Sequence, residues 1–162
     1  MSEHIIRPLP GPAGGSRHDH MLRRFSRDPQ LIVRLRQLGA DRAAAIGLVD
    51  RATAGLGVGA PDVTFHGGRG PRSGYCMAPR SVATSALGES VVRAWEAAKG
   101  RRWPEAGMIR LGDPSSLGTI AHELGHHSVH LLDPSSTPAH GKVWVVRFDD
   151  AAEAVAGIVG IA

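Results

Sequence analysis

Cysteine is almost missing from this chain: Cys76 is the only one in 162 residues. A single thiol closes no intramolecular disulfide, and a Cys-based zinc finger is excluded. A reducing, cytoplasmic setting is therefore expected. Long apolar runs are also missing. None approaches the roughly 20 residues of a membrane-spanning helix, so no membrane role is expected. The N-terminus lacks a charged segment followed by an apolar one, so no secretory signal is expected. Lysine is scarce. Of 19 bases only Lys99 and Lys142 are lysines, and Asp plus Glu is 15, for a net charge of +4. A skew toward arginine, alanine and glycine is what a GC-rich genome produces, and it accounts for most of the bases. Arg23, Arg24, Arg27, Arg34 and Arg36 gather in the N-terminal third, which leaves weak nucleic-acid affinity as a second reading. Internal repeats and a second domain are lacking too, while the 42% apolar content suffices for one core.

Along the chain, Pro8, Pro10, Gly11, Pro12, Gly14 and Gly15 make residues 1–20 read as a flexible tail, with one domain over 21–162. Asp28 and Pro29 read as N-cap and first residue of a helix, with Leu31, Leu35, Leu38 and Arg42 at helical spacing. Ile46, Val49 and Leu56 suggest another helical or turn-rich stretch, interrupted at Gly39 and Gly47. Val63–His66 reads as a strand, and residues 67–74 as a flexible basic loop without a P-loop pattern. Tyr75–Ala78 and Ser81–Ser85 read as a hairpin. Glu89–Lys99 reads as a helix stopped by Gly100. Met108–Leu111 reads as an edge strand able to take an extended peptide. The expected class is α+β: a small twisted sheet against an N-terminal helix and a second helix over 117–132.

That second helix carries the chemistry. Five of the nine histidines lie between 122 and 140. Asp113-Pro114 is expected to cap the helix and Asp133-Pro134 to end it, with Ile120, Leu124 and Leu131 as its core face. Within it stands His122-Glu123-Leu124-Gly125-His126. Residues four apart share a helix face about 6 Å apart along the axis, so both imidazoles reach one metal ion. Glu123 then faces the open side, placed to take a proton from water and return it to a leaving group. Catalytic zinc takes three protein ligands. His130 lies about 12 Å beyond His122 along the axis, too far to share the ion. His140 is the favoured third ligand, because the chain can double back after Asp133-Pro134 and Gly141 permits close approach. Glu153 is the alternative. His127, Tyr75 and Trp144 are candidate substrate-cleft residues, although Tyr75 also reads as an ordinary strand residue. Cys76 reads as a small buried side chain and His66 as a bonded strand end. Asp149 and Asp150 read as surface charge, or as groups orienting a ligand imidazole.

The run HELGHH, then DPSSTPAHG, then Trp144 and Phe148, resembles the HExxH…HGxxF arrangement of SprT-like zinc metallopeptidases. It is closer still to small actinobacterial and phage metallohydrolases with an Ala-His-Gly third-ligand motif. The resemblance implies a minimal zincin-like fold, one zinc ion on His122, His126 and His140, Glu123 as general base, and a protein or peptide substrate. Its motifs occupy residues 116–148. Trp144 stands where Phe is usual, Lys142-Val143 replaces the common Pro-Glu, and no C-terminal zinc ribbon follows. The stretch MIRLGDPSSLGTIAHELGHH also resembles ImmA/IrrE-type peptidases, which implies Glu153 as third ligand. The competing function is a non-catalytic, zinc-stabilised binder of nucleic acid or a regulator.

Overall fold

The computed structural model describes residues 6–11, 19–135 and 139–161, and these are α+β, with seven helices and two three-stranded sheets. The chain opens with β1 (Ile6–Pro8), inside the stretch expected to be tail. β1 pairs antiparallel with β2 (Leu38–Ala40), Ile6 opposite Ala40. It is an edge strand, the place where proline's missing N–H is tolerated. Residues 1–5 and 12–18, the rest of the expected tail, lie outside the described residues.

After α1 (Asp19–Phe25), α2 (Pro29–Arg36) starts as the sequence predicts, with the Asp28 carboxylate accepting from the Leu31 N–H at 3.0 Å. It stops short of Leu38 and Arg42. Leu38–Ala40 is drawn instead into a sheet between β1 and β6 (Ser115–Ser116), a case of distant pairing overriding local helical spacing. Gly39 makes room for Leu9 there: a Cβ would meet Leu9 Cδ2 at 2.5 Å, and that side chain would have to shift. α3 (Arg42–Leu56), capped by Asp41, runs through Gly47 without a break. Burial of Ala44, Ala45, Leu48, Val49 and Ala52 outweighs the ~1 kcal/mol that one helical glycine costs.

The second sheet holds β3 (Asp62–Phe65), β4 (Tyr75–Met77) and β5 (Met108–Leu111) in the order β3-β5-β4. β5 is therefore central, not the expected edge: it runs parallel to β3 and antiparallel to β4. Its Met108, Ile109 and Leu111 are buried, as a strand paired on both sides requires. The edge is β4. The expected hairpin does not form, since β4 finds its partner in β5 and residues 80–87 are α4 (Arg80–Leu87). α4 packs with α5 (Glu89–Lys99) over a small cluster of Met77, Ala83, Val92, Trp103 and Met108. Arg80 ties the pair together through Glu89 and Glu96.

α6 (Leu117–Leu132) spans the residues the sequence marks out, and α7 (Lys142–Val159) follows. The cap of α6 is Ser116, whose Oγ accepts from the Thr119 N–H at 2.9 Å; Asp113 instead pairs with Arg42. Ile120 and Leu124 enter the main core, but Leu131 is 36% exposed. That core joins α2, α3, α6, α7 and β5, with α6 central. No helix among the described residues is long and apolar enough to cross a membrane.

Candidate metal centre

Helical geometry puts His122 and His126 one turn apart on the same face of α6. His140 arrives from the turn before α7. The three Nε2 atoms face one another at 3.2 Å (His122–His126), 2.9 Å (His126–His140) and 3.3 Å (His122–His140). Tetrahedral coordination with bonds of about 2.0–2.1 Å sets ligand nitrogens roughly 3.3 Å apart. Three imidazole nitrogens aimed at one point are electron-rich, and a shared cation satisfies all of them at once. The donor set thus fits a metal ion, and imidazole donors suit zinc. Among the described residues this group holds three potential ligands and no fourth.

The triad rests on aromatic rings. Trp144, 1% exposed, lies 4.9 Å from the His122 ring, 5.6 Å from His126 and 4.7 Å from His140, centroid to centroid. It is a floor beneath the histidines, not an open cleft wall. The helices that carry the triad meet at Gly125. A Cβ there would stand 3.1 Å from Phe148 Cα and 3.2 Å from Trp144 Nε1. Gly125→Val is therefore expected to push α7 outward, costing about 1–3 kcal/mol of stability. It should also weaken zinc binding, since His140 lies in the turn that leads into α7. Thermal denaturation and zinc titration check both effects.

Glu123, beside His122, is 5% exposed. It lines a cleft of about 290 Å³ together with His122, Thr119, Ser116, Arg36 and Arg72. Across the cleft, Gly74 leaves room for it: a Cβ on Gly74 would meet Glu123 Oε1 at 2.6 Å. Burial pushes the Glu123 carboxyl up to about 8 in the metal-free protein. The penalty appears only where the unfolded chain is ionised. Below the ordinary value of 4.5 both states are protonated; between 4.5 and 8 the fold loses stability, by at most about 1.4 kcal/mol per pH unit. Chelated Glu123→Gln protein is expected to melt above chelated wild type at pH 8, with the gap closing toward pH 4.5. Paired thermal scans at the two pH values test this.

The other sequence candidates sit elsewhere. Glu153 projects to Arg27 at 3.1 Å and takes no part in the triad. His127 is fully buried and turned about 100° around α6 from His126, its Nε2 2.7 Å from the Gly59 carbonyl oxygen, so it is no cleft residue. Burial holds it below the usual imidazole range. Tyr75 begins the edge strand and is 54% exposed. Cys76 lies close to Glu123, and burial, then that carboxylate, keep its thiol well above the usual range. His66 is bonded to the Ser73 carbonyl. Asp149 is not surface charge: it is buried, accepting from Ser26 Oγ at 2.6 Å and the Arg27 N–H at 2.8 Å. Asp150 pairs with Arg27 and Arg147. Residues 136–138 of the Ser/Thr/Pro turn lie outside the described residues.

Sequence reasoning missed the cleft wall. Residues 67–74, expected as a flexible loop, are pinned to the site: Pro71 O accepts from the Ser116 N–H at 2.7 Å, and Arg72 Nε donates to Arg36 O at 3.3 Å. The glycine spacing in that loop was the one available signal. No protein-family model, curated protein or solved structure matches the chain.

Proposed function

We propose that the chain is a zinc-dependent peptidase of minimal zincin-like architecture, with Glu123 as general base. One observation carries the reading: three imidazole nitrogens converge within 3.3 Å of one another beside a buried carboxyl in a cleft. His122, His126 and His140 would hold one zinc ion per chain. Such an ion would supply Lewis acidity, polarising a carbonyl and lowering the pKa of water toward about 7. Glu123 takes the proton of the attacking water on a carboxylate oxygen and passes it to the departing amine. Its burial suits that duty, because a carboxylate short of solvent holds a proton more readily than a free one. Gly74 keeps the carboxyl's space clear and leads straight into β4. That strand ends its sheet, and an extended peptide paired to its outer edge would pass Glu123. The resemblance to SprT-like enzymes points to the same ligands. The Glu153 ligation of ImmA/IrrE-type enzymes has less support, as Arg27 engages that carboxylate.

Metal analysis of protein purified without a metal-affinity tag tests the reading. About one zinc per chain is expected, with cleavage of an unfolded protein that stops on chelation and resumes with zinc. Failure to take up zinc at neutral pH would overturn it.

A further inference from the structure

We propose that the cleft beside Glu123 binds a carboxylate of the peptide substrate through Arg72, with Arg36 adding to the positive field, making the enzyme selective for an anionic residue next to the cleaved bond. The proposal rests on the peptidase reading for its substrate, but its argument rests on the cleft's own charge. Arg72 Nη2 is buried and has no hydrogen-bond partner. Among the described residues no carboxylate pairs with Arg72; its Nε is spent on the Arg36 carbonyl. A buried charged donor without an acceptor is costly, and the cost is met when a ligand brings the acceptor.

The surroundings hold that donor in place. The Pro71 carbonyl before it is bonded to Ser116, and the Ser73 carbonyl after it is bonded to His66. Arg36 enters the same cleft over the first turn of α6. Gly118 makes this passage: a Cβ there would stand 2.6 Å from Arg36 Cγ. That first turn lines the cleft as well, so the positive end of the α6 dipole adds to the field. Among the described residues Glu123 is the only acid lining the cleft, and the proposed chemistry occupies it. At about 290 Å³ the space takes one small group, below the usual ligand pocket of roughly 300–1,000 Å³. A guanidinium fork matches a carboxylate in shape and charge. The carboxylate has two possible sources with one chemistry: the α-carboxylate of a peptide's last residue, or an Asp or Glu side chain.

Four N-acetylated peptides separate these sources: tetra-alanine with a free C-terminus, its C-terminal amide, and amides carrying Glu or Gln at the third position. Their affinities for zinc-loaded and metal-free Glu123→Gln protein are measured by calorimetry at low and moderate salt. The acidic member of one pair should bind at least about tenfold more tightly than its neutral twin, and salt should shrink the difference. Preference for the free C-terminus assigns the α-carboxylate; preference for Glu over Gln assigns a side chain. Arg72→Gln should erase the preference and Arg72→Lys should keep part of it. Equal affinity within both pairs, no binding of any peptide, or a preference that survives both Arg72→Gln and Arg36→Gln overturns the proposal. The pairwise comparison on arginine-intact protein needs no arginine variant to fold. Cleavage of an unfolded protein by zinc-loaded wild type is measured in parallel. Cleavage without charge preference removes the anion site alone, while charge preference without cleavage removes the peptidase reading alone.

Discussion

Glu123→Gln protein is expected to keep about one zinc per chain and to lose peptide hydrolysis by roughly 10²–10⁴-fold, the usual contribution of a general base. The substitution is nearly isosteric. That matters here, because the backbone of Gly74 leaves so little room that a Cβ would fall 2.6 Å from Glu123 Oε1. Gln fills the same space, but its amide cannot hold the proton of an attacking water. The loss should appear in kcat with KM little changed, as for a group acting only in the transition state. Zinc retention is the companion readout, since among the described residues the clustered nitrogens come from His122, His126 and His140. Undiminished turnover would remove Glu123 from the mechanism. Loss of zinc would make it a ligand.

His140→Ala is expected to lower zinc affinity by more than about 100-fold. Replacing a group that merely supports a metal ligand already costs 10–100-fold, and removing a ligand should cost more. The variant leaves His122 and His126, which one helix turn holds together with no element closing the third side. Glu153→Ala is the matched comparison. Its carboxylate pairs with Arg27 at 3.1 Å on the surface, so its removal should leave zinc affinity within about twofold, as expected for an exposed pair of little energetic worth. Competition against a chromophoric chelator reads both variants. A stronger effect at Glu153 than at His140 would reverse the assignment.

Much of α6 was legible in the sequence. Its apolar spacing, Asp133-Pro134 and the HExxH pattern are local signals, and a helix obeys them over its whole length. His140 was legible by a different route, through the glycine after it and the resemblance of its surroundings. What depended on distant partners was not. Leu38 carries helical spacing, yet β1 and β6 draw Leu38–Ala40 into a sheet from residues 6–8 and 115–116. Met108–Leu111 was recognisable as a strand, but its central position follows from β3 and β4 closing on both sides. His127 follows His126 by one residue, and that single step of about 100° separates a metal-facing ring from one sealed against Gly59. Asp149 resembles its neighbour Asp150 in sequence, and only the fold delivers Ser26 to it. Arg36 and Arg72 were hidden among 19 bases; what sets Arg72 apart is a missing acceptor, which no sequence displays.

The close approach of α6 and α7 at Gly125 makes the two helices halves of one clasp. α6 carries His122 and His126, and the turn leading into α7 carries His140, so an ion held there would fasten the two helices to each other. The free energy of binding then counts toward folding: at a free zinc level 100 times the dissociation constant, the folded state would gain about 2.7 kcal/mol. Metal supply and resistance to unfolding become one variable. A cell that withdrew zinc would silence such an enzyme and, by the same act, mark it for removal.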